Sequence, residues 1–125
     1  MKEVKDIKLE VKEKWGNTAS YNEYIEKTKA YSKEKYEMLT DEMNKIFNDF
    51  SLCMKNNEMP YSTKAQMLVK KLKEFITNNY YECTNDILVN LGQMYISDER
   101  FKNNIDKHGI NTAEYINEAI ESFIK

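Results

Sequence analysis

Glycine and proline are scarce in this sequence of 125 residues, which contains 3 Gly and 1 Pro. Globular proteins average about 7% glycine and 5% proline, so few turns and hairpins are expected here. The three glycines also form no glycine-rich loop of the kind that cradles phosphate groups. The scarcity of both residue types favours a helical chain.

A surplus of basic charge is also lacking. Lys and Arg number 19, Asp and Glu number 21, and the formal net charge is -2. Binding to nucleic acid depends on a concentrated excess of basic side chains that contact phosphates. We therefore expect no contact between this chain and nucleic acid.

Apolar runs of membrane-spanning length and metal-ligating residues are equally scarce. No run of about 18 apolar residues occurs, and the segment after Met1 does not resemble a signal peptide. His108 is the only histidine, and Cys53 and Cys83 lie too far apart to form a CxxC pair. These absences predict a cytoplasmic protein without membrane contact, catalytic residues, cofactor or metal.

Tyrosine, in contrast, is abundant, with 9 Tyr beside 5 Phe and 1 Trp. A core needs apolar rings and has little use for so many hydroxyl groups. Tyr21, Tyr24 and Tyr31 share one face of a helix predicted over residues 18–31. This face either packs on a bundle with its hydroxyls in water, or forms one wall of a cleft for a large aromatic ligand.

Apolar residues recur at helical spacing along the chain and predict six or seven helices. Residues 1–15 form one predicted helix, and the domain proper is expected to cover residues 16–125. The strongest amphipathic pattern follows the loop that contains Pro60, so the helix after this loop is expected to belong to the core. No strand pattern competes, and the predicted fold class is all-α.

Residue types that cap helices mark several predicted boundaries. Ser32, Thr84 and Ser97 are the expected N-caps of three helices. Gly109 is expected to end a short helix in a left-handed conformation. Asn111, with a glutamate three residues later, is expected to form a capping box for the last helix.

Cys83 lies one residue before a predicted helix start. A helix dipole lowers the pKa of a thiol at that position and favours the reactive thiolate. Two interpretations follow for Cys83, which is either a thiol that contacts or captures an electrophilic ligand or a partly buried residue at a helix junction. Cys53, on the inner stripe of its helix, is expected to be a small buried residue.

Four sequence blocks occur in a characteristic order: Val11 to Tyr21 with Trp15 and Gly16, Thr28 to Tyr31, Tyr81 to Thr84, and Met94 to Phe101. In this order they resemble the TipAS domain, the antibiotic-recognition part of MerR-type transcriptional regulators. The resemblance covers about residues 10–125. It implies a globin-like helical bundle whose N-terminal helices act as a lid that a ligand orders.

The resemblance also implies a ligand, which is a bulky hydrophobic or thiopeptide-type antibiotic bound in a helical cleft. In the thiopeptide-capturing member of the family, the covalent thiol lies about two helical turns beyond the Tyr-x-Cys motif. That position falls near Asn90 here, where no cysteine stands, so non-covalent binding is expected. The predicted ligand-binding residues are Trp15, Tyr21, Tyr24, Tyr31, Tyr80, Tyr81, Cys83, Asn90, Tyr95 and Phe101. Asp98 and Arg100 are expected to be structural.

A MerR-type regulator carries a helix-turn-helix and a dimerisation helix before this domain. Residues 1–15 fit either the end of that dimerisation helix or the first helix of a free-standing protein. The chain is therefore expected to be the effector-binding domain of a regulator or a stand-alone drug-sequestering form, as a monomer or weak dimer. The alternative is a helical protein-interaction domain, without a small-molecule ligand, whose tyrosine face docks another chain.

Overall fold

The computed structural model describes the backbone of residues 19–125 and the side chains of residues 22–125. The predicted helix over residues 1–15, Trp15 and the side chain of Tyr21 lie outside the described residues. No strand occurs in the described part of the chain, in agreement with the predicted all-α class. The described helices are α1 (Ala19–Thr28), α2 (Lys33–Lys55), α3 (Thr63–Asn79), α4 (Asn85–Ser97), α5 (Glu99–Asp106) and α6 (Thr112–Ile124).

Hydroxyl side chains form the N-terminal caps of three of these helices. Ser32 Oγ accepts a hydrogen bond from the backbone N–H of the third residue after it, at 3.1 Å, and caps α2. Thr84 Oγ1 caps α4 in the same way, at 3.3 Å. Both predicted caps are confirmed. Ser62 caps α3 through a bond of 3.2 Å from Ala65 N–H, which satisfies one of the otherwise unpaired donors of the first turn.

The predicted cap at Ser97 is wrong, because the capping residue is Asp98. The Asp98 carboxylate accepts a hydrogen bond from Arg100 N–H at 3.0 Å and starts α5. Ser97 is instead the last residue of α4, and its hydroxyl donates to Gln93 O at 2.8 Å. A carboxylate is the stronger acceptor at a helix N-terminus, where the dipole also favours negative charge.

The connection between α5 and α6 corrects two further expectations. Gly109 does not adopt a positive φ, whereas Asn111 does, with φ 71°. In this left-handed conformation the Asn111 side chain makes no capping hydrogen bond, so the expected capping box is absent. A Cβ atom at Gly109 would meet the Ser51 hydroxyl. Glycine is therefore required there for close packing on α2, and not for a left-handed turn.

The core lies between α2, α3, α4 and α6. α6 packs on all three of the other helices and most extensively on α4. Gly92 of α4 allows this approach, because a Cβ atom there would lie 2.6 Å from Asn117 Oδ1. None of the described helices is both long and apolar enough to span a membrane. Side chains with no solvent exposure include Phe50, Leu72, Leu88, Ile105, Ile116 and Ile120.

Candidate functional site

α1 lies against the end of α3 and the segment that follows it. The Lys27 ammonium donates a hydrogen bond of 2.6 Å to Thr77 O in the last turn of α3. The Glu23 carboxylate accepts a hydrogen bond of 2.8 Å from Glu82 N–H and pairs with Lys27 at 3.3 Å. Polar contacts therefore hold α1 at two points, one in the last turn of α3 and one in the turn between α3 and α4.

A group of aromatic rings fills the space between α1 and this turn. Tyr24 of α1 is 2% exposed, and its ring stacks on Tyr80 with centroids 6.1 Å apart. The same ring meets Tyr81 edge-on at 6.5 Å, and Tyr80 in turn meets Phe75 of α3 at 6.1 Å. The contact between α1 and the bundle is therefore aromatic on both sides.

Tyr31, in the link between α1 and α2, extends this aromatic group. Its ring meets Tyr36 of α2 edge-on at 5.7 Å, and the Lys35 ammonium lies 5.6 Å from its centroid. Its hydroxyl donates a hydrogen bond of 2.6 Å to Asn79 O at the end of α3. Tyr31 therefore connects the start of α2 to the C-terminal end of α3.

A second set of rings lies deeper, around Tyr95 of α4. The Tyr95 ring is buried and meets Phe47 of α2 edge-on at 5.7 Å and Phe101 of α5 at 6.1 Å. Phe47 also lies 6.4 Å from the His108 ring. The inner stripe of α2 identifies Phe47 as packed, but nothing in the sequence pairs it with Tyr95. This contact is therefore a site feature that sequence reasoning missed.

Burial controls the ionisation of these tyrosines. It raises the pKa of Tyr80 to about 12, with a smaller contribution from the nearby Tyr31 hydroxyl. Burial is also the main cause that raises the pKa of Tyr81, and the neighbouring Tyr95 and Cys83 add to this effect. Burial likewise raises the pKa of Tyr95, which lies in the same hydrophobic core as Tyr81. Their hydroxyls stay protonated near neutral pH, so the site presents neutral rings that can stack and form hydrogen bonds.

Cys83 is buried in the same hydrophobic core, with 1% exposure, and its N–H donates to Thr77 Oγ1 at 3.1 Å. Burial raises the pKa of Cys83 to about 11, and the positive charge of Lys73 offsets only part of that rise. The expectation of a lowered thiol pKa is therefore wrong, because desolvation outweighs the helix dipole. Burial also raises the pKa of Cys53. Both cysteines of this sequence are protonated thiols near neutral pH.

The predicted ligand-binding residues divide into three sets. One set, the aromatic group, consists of residues that lie in the hydrophobic core or pack against it, namely Tyr24, Tyr31, Tyr80, Tyr81, Cys83, Tyr95 and Phe101. Asn90 is exposed and lies five positions before Tyr95, which is about 140° around the helix and turns Asn90 away from the Tyr95 face of α4. The structure therefore does not bring Asn90 to the aromatic group. Trp15 and the Tyr21 side chain lie outside the described residues.

The charged residues beside this group have structural contacts. Arg100 Nη2 pairs with Asp98 Oδ2 at 2.9 Å, next to the cap that Asp98 forms for α5. These contacts agree with the structural role expected for both residues. Among residues 19–125, no group of three or more His, Cys, Asp or Glu side chains is placed to hold a metal ion.

Comparison with known proteins identifies the family. The family model of the TipAS antibiotic-recognition domain matches residues 7–123. The HTH-type transcriptional activator TipA of Streptomyces coelicolor is 37% identical over 111 residues, which are 89% of this chain and 44% of TipA. The HTH-type transcriptional activator mta of Bacillus subtilis is 32% identical over 89% of this chain and 42% of mta. The chain thus spans less than half the length of these curated relatives.

A solved structure is similar to the chain over nearly its whole length. It is TipAS from Streptomyces lividans in complex with nosiheptide, and it aligns with a TM-score of 0.83 at 34% identity. The alignment covers 96% of this chain and 84% of that chain. This similarity confirms the globin-like helical fold. With the family match over residues 7–123, it establishes that the chain belongs to the TipAS antibiotic-recognition domain family.

Proposed function

We propose that this chain is an effector-binding domain that binds bulky, partly aromatic antibiotics of the thiopeptide kind. The ligand lies between α1 and the bundle formed by residues 63–125, and the N-terminal helices close over it. The similar Streptomyces lividans protein is in complex with nosiheptide, a thiopeptide antibiotic. Nosiheptide is therefore the first ligand to test.

The stacking of Tyr24 on Tyr80 carries this proposal. The two rings belong to different elements, and their centroids are 6.1 Å apart. An aromatic pair contributes about 0.5–1.5 kcal/mol beyond its buried area, so each aromatic ring that a ligand stacks against this wall adds a contact of similar size. Ordering of a lid segment costs about 2–5 kcal/mol, which only a large apolar ligand offsets.

The cysteines support non-covalent binding. Conjugate addition needs a thiolate that a ligand can reach. Cys53 and Cys83 are both buried, and burial raises the pKa of each. We therefore propose reversible capture of the ligand, and a binding role in place of catalysis.

Our proposal for the role of the chain in the cell rests on its relatives. Those relatives are transcriptional activators more than twice as long as the matched segment. We propose a cytoplasmic domain that either controls a DNA-binding segment or sequesters drug by itself. An open reading frame upstream of Met1 that encodes a helix-turn-helix would support regulation, and its absence would support sequestration.

Nosiheptide titration tests the binding proposal. We expect a higher melting temperature, a change in Trp15 fluorescence and an unchanged intact mass after unfolding. At a ligand concentration of about 100 times Kd, the stabilisation is about 2.7 kcal/mol. Tyr24→Ala should weaken binding, whereas Tyr61→Ala, at a site that is 67% exposed, should not. No thermal or spectral response of the wild-type chain to saturating nosiheptide would refute the proposal.

A protein-interaction domain is the second candidate function. Several large apolar side chains are exposed, and such side chains occur at protein interfaces. The tyrosine face is not the surface that this candidate favours, because Tyr24 is buried within the chain and Tyr31 contacts Tyr36. A tight dimer in sedimentation experiments, with no response to nosiheptide, would support this candidate. The exposed apolar residues are Met38, Leu52, Met59, Tyr61, Met67 and Ile110.

A further inference from the structure

We infer that Glu23, Lys27 and Tyr31 are positioning residues that clasp α1 and the link after it to the C-terminal end of α3 and the segment that follows α3. The clasp holds the ring of Tyr24 in the place where it meets Tyr80. This inference deepens the proposed function, since it identifies which contacts set the position of one wall of the binding cleft. None of the three residues needs to touch the ligand for this role.

The C-terminal end of α3 supplies the acceptors for Lys27 and Tyr31. The last carbonyls of a helix have no partner within the helix and carry partial negative charge. Ile76 O is satisfied by the backbone N–H groups of Tyr80 and Tyr81. Thr77 O receives the Lys27 ammonium and Asn79 O receives a tyrosine hydroxyl, both at 2.6 Å. Hydrogen bonds from a charged donor are the stronger kind, so the contact with Lys27 is the main one.

The third contact lies on the other side of Tyr24. Glu23 precedes Tyr24 directly, and its carboxylate accepts the N–H of Glu82 at 2.8 Å. Lys27 follows Tyr24 by three residues, which places both clasp residues on the side of α1 that meets the bundle. Contacts on both sides of Tyr24 restrict rotation and sliding of the helix, and thus fix its ring against Tyr80.

A matched pair of lysines makes the clasp testable. Lys27 pairs with Glu23 one turn earlier in α1 and also reaches Thr77 O of α3. Lys29 pairs with Glu26 at 2.9 Å within the same segment, and both of these side chains are exposed. Lys27→Met and Lys29→Met therefore remove the same charge and one local ion pair each. Only the first variant removes a contact with α3.

Hydrogen exchange of the full chain measures the clasp without a ligand. We expect Lys27→Met to speed amide exchange in α1 about five- to thirtyfold, and Lys29→Met to change it less than about twofold. Exchange in α4 and α6 should stay as in the wild type. Lys27→Arg, which keeps a charged donor, should restore slow exchange. Equal effects of the two methionine variants, or equal acceleration in α4 and α6, would overturn the inference.

Nosiheptide dissociation provides the second measurement. If α1 docking sets the residence time, Lys27→Met should release nosiheptide about five- to thirtyfold faster, and Lys27→Arg and Lys29→Met at nearly the wild-type rate. An unchanged rate in Lys27→Met would overturn the link between the clasp and binding. If the wild-type chain binds no nosiheptide, the proposed function fails, while the exchange experiment still decides whether the clasp exists.

Discussion

The Asp106 carboxylate, at the end of α5, accepts a hydrogen bond of 3.0 Å from the backbone N–H of Ala113 in the first turn of α6. Its other oxygen accepts the Lys102 ammonium at 2.9 Å. The Asp106 side chain therefore caps α6 and also forms an ion pair within α5. Because α6 packs on α2, α3 and α4, a contact that starts α6 supports the whole core.

Replacement of Asp106 by alanine should destabilise the fold by about 1 kcal/mol, the usual cost of a lost helix cap. Thermal or urea unfolding measures this loss. Asp41→Ala, at an exposed position of α2, is the control and should have little effect. Equal stability of the Asp106→Ala variant and the wild type would contradict the capping role.

The same carboxylate should make stability depend on pH. Burial alone would raise the pKa of Asp106, but hydrogen bonds from Ala113 N–H and Lys102 outweigh it and keep the pKa below 3.8. A lowered pKa in the folded state means that the stabilisation is complete above pH 3.8 and is lost as the pH falls through the folded-state pKa. Urea unfolding between pH 7 and pH 2 should show a smaller acid loss in Asp106→Asn than in the wild type. Identical slopes would contradict this prediction.

Gly109→Ala should destabilise the chain by about 1–3 kcal/mol, the usual cost of overpacking. The new methyl group would meet the Ser51 hydroxyl, which donates a hydrogen bond of 2.7 Å to His108 O. Removal of that hydroxyl relieves the clash, so the added cost of Gly109→Ala should be smaller in a Ser51→Ala background. A double-mutant cycle by chemical unfolding measures this coupling. Additive effects would show that the close approach is not the reason for glycine here.

Tyr115→Phe should cost about 1 kcal/mol of stability. The Tyr115 hydroxyl donates a hydrogen bond of 2.8 Å to Glu58 O and thereby ties α6 to the loop after α2. The ring itself stays in place against Phe50 in the variant, so the loss reports the hydroxyl alone. Tyr61→Phe is the matched control, because this ring is exposed. Equal unfolding free energies of the two variants would contradict the prediction.

The two cysteines should react slowly with a thiol reagent such as DTNB at pH 8 while the chain is folded. Both are buried, and burial raises the pKa of Cys83 to about 11 and also raises that of Cys53. Because the thiolate is the reactive form, both thiols should react rapidly once guanidinium chloride unfolds the chain and exposes them to water. The variants Cys53→Ser and Cys83→Ser assign each signal. Rapid reaction of Cys83 in the folded chain would contradict its burial.

Local signals in the sequence predicted part of the fold correctly. Ser32 and Thr84 cap helices as expected, because a hydroxyl cap depends on only the three residues that follow it. The caps of α5 and α6 could not be predicted in this way. At the start of α5, Asp98 is the capping residue in place of its neighbour Ser97. Asp106 caps α6, which starts six residues later, and the bend between them depends on packing against α2.

The candidate site, too, could be predicted from the sequence only in part. The sequence indicated Tyr24, Tyr80 and Tyr95 as ligand-binding residues, and the structure places all three in the aromatic group. It did not indicate their partners, such as Phe47, because contacts between residues far apart in sequence leave no periodic signal. Of the two interpretations of Cys83, the structure supports the buried residue at a helix junction, because a dipole argument ignores the burial that only packing supplies.

The sequence by itself determined the all-α class, the family and the excess of tyrosine, since these depend on composition, local spacing and short motifs. The tertiary structure decided which tyrosines meet, where α1 lies and whether a thiol can ionise. Those properties depend on desolvation and on contacts such as Lys27 with Thr77 O, across 50 residues of sequence. Such contacts exist only when helices distant along the chain are packed together.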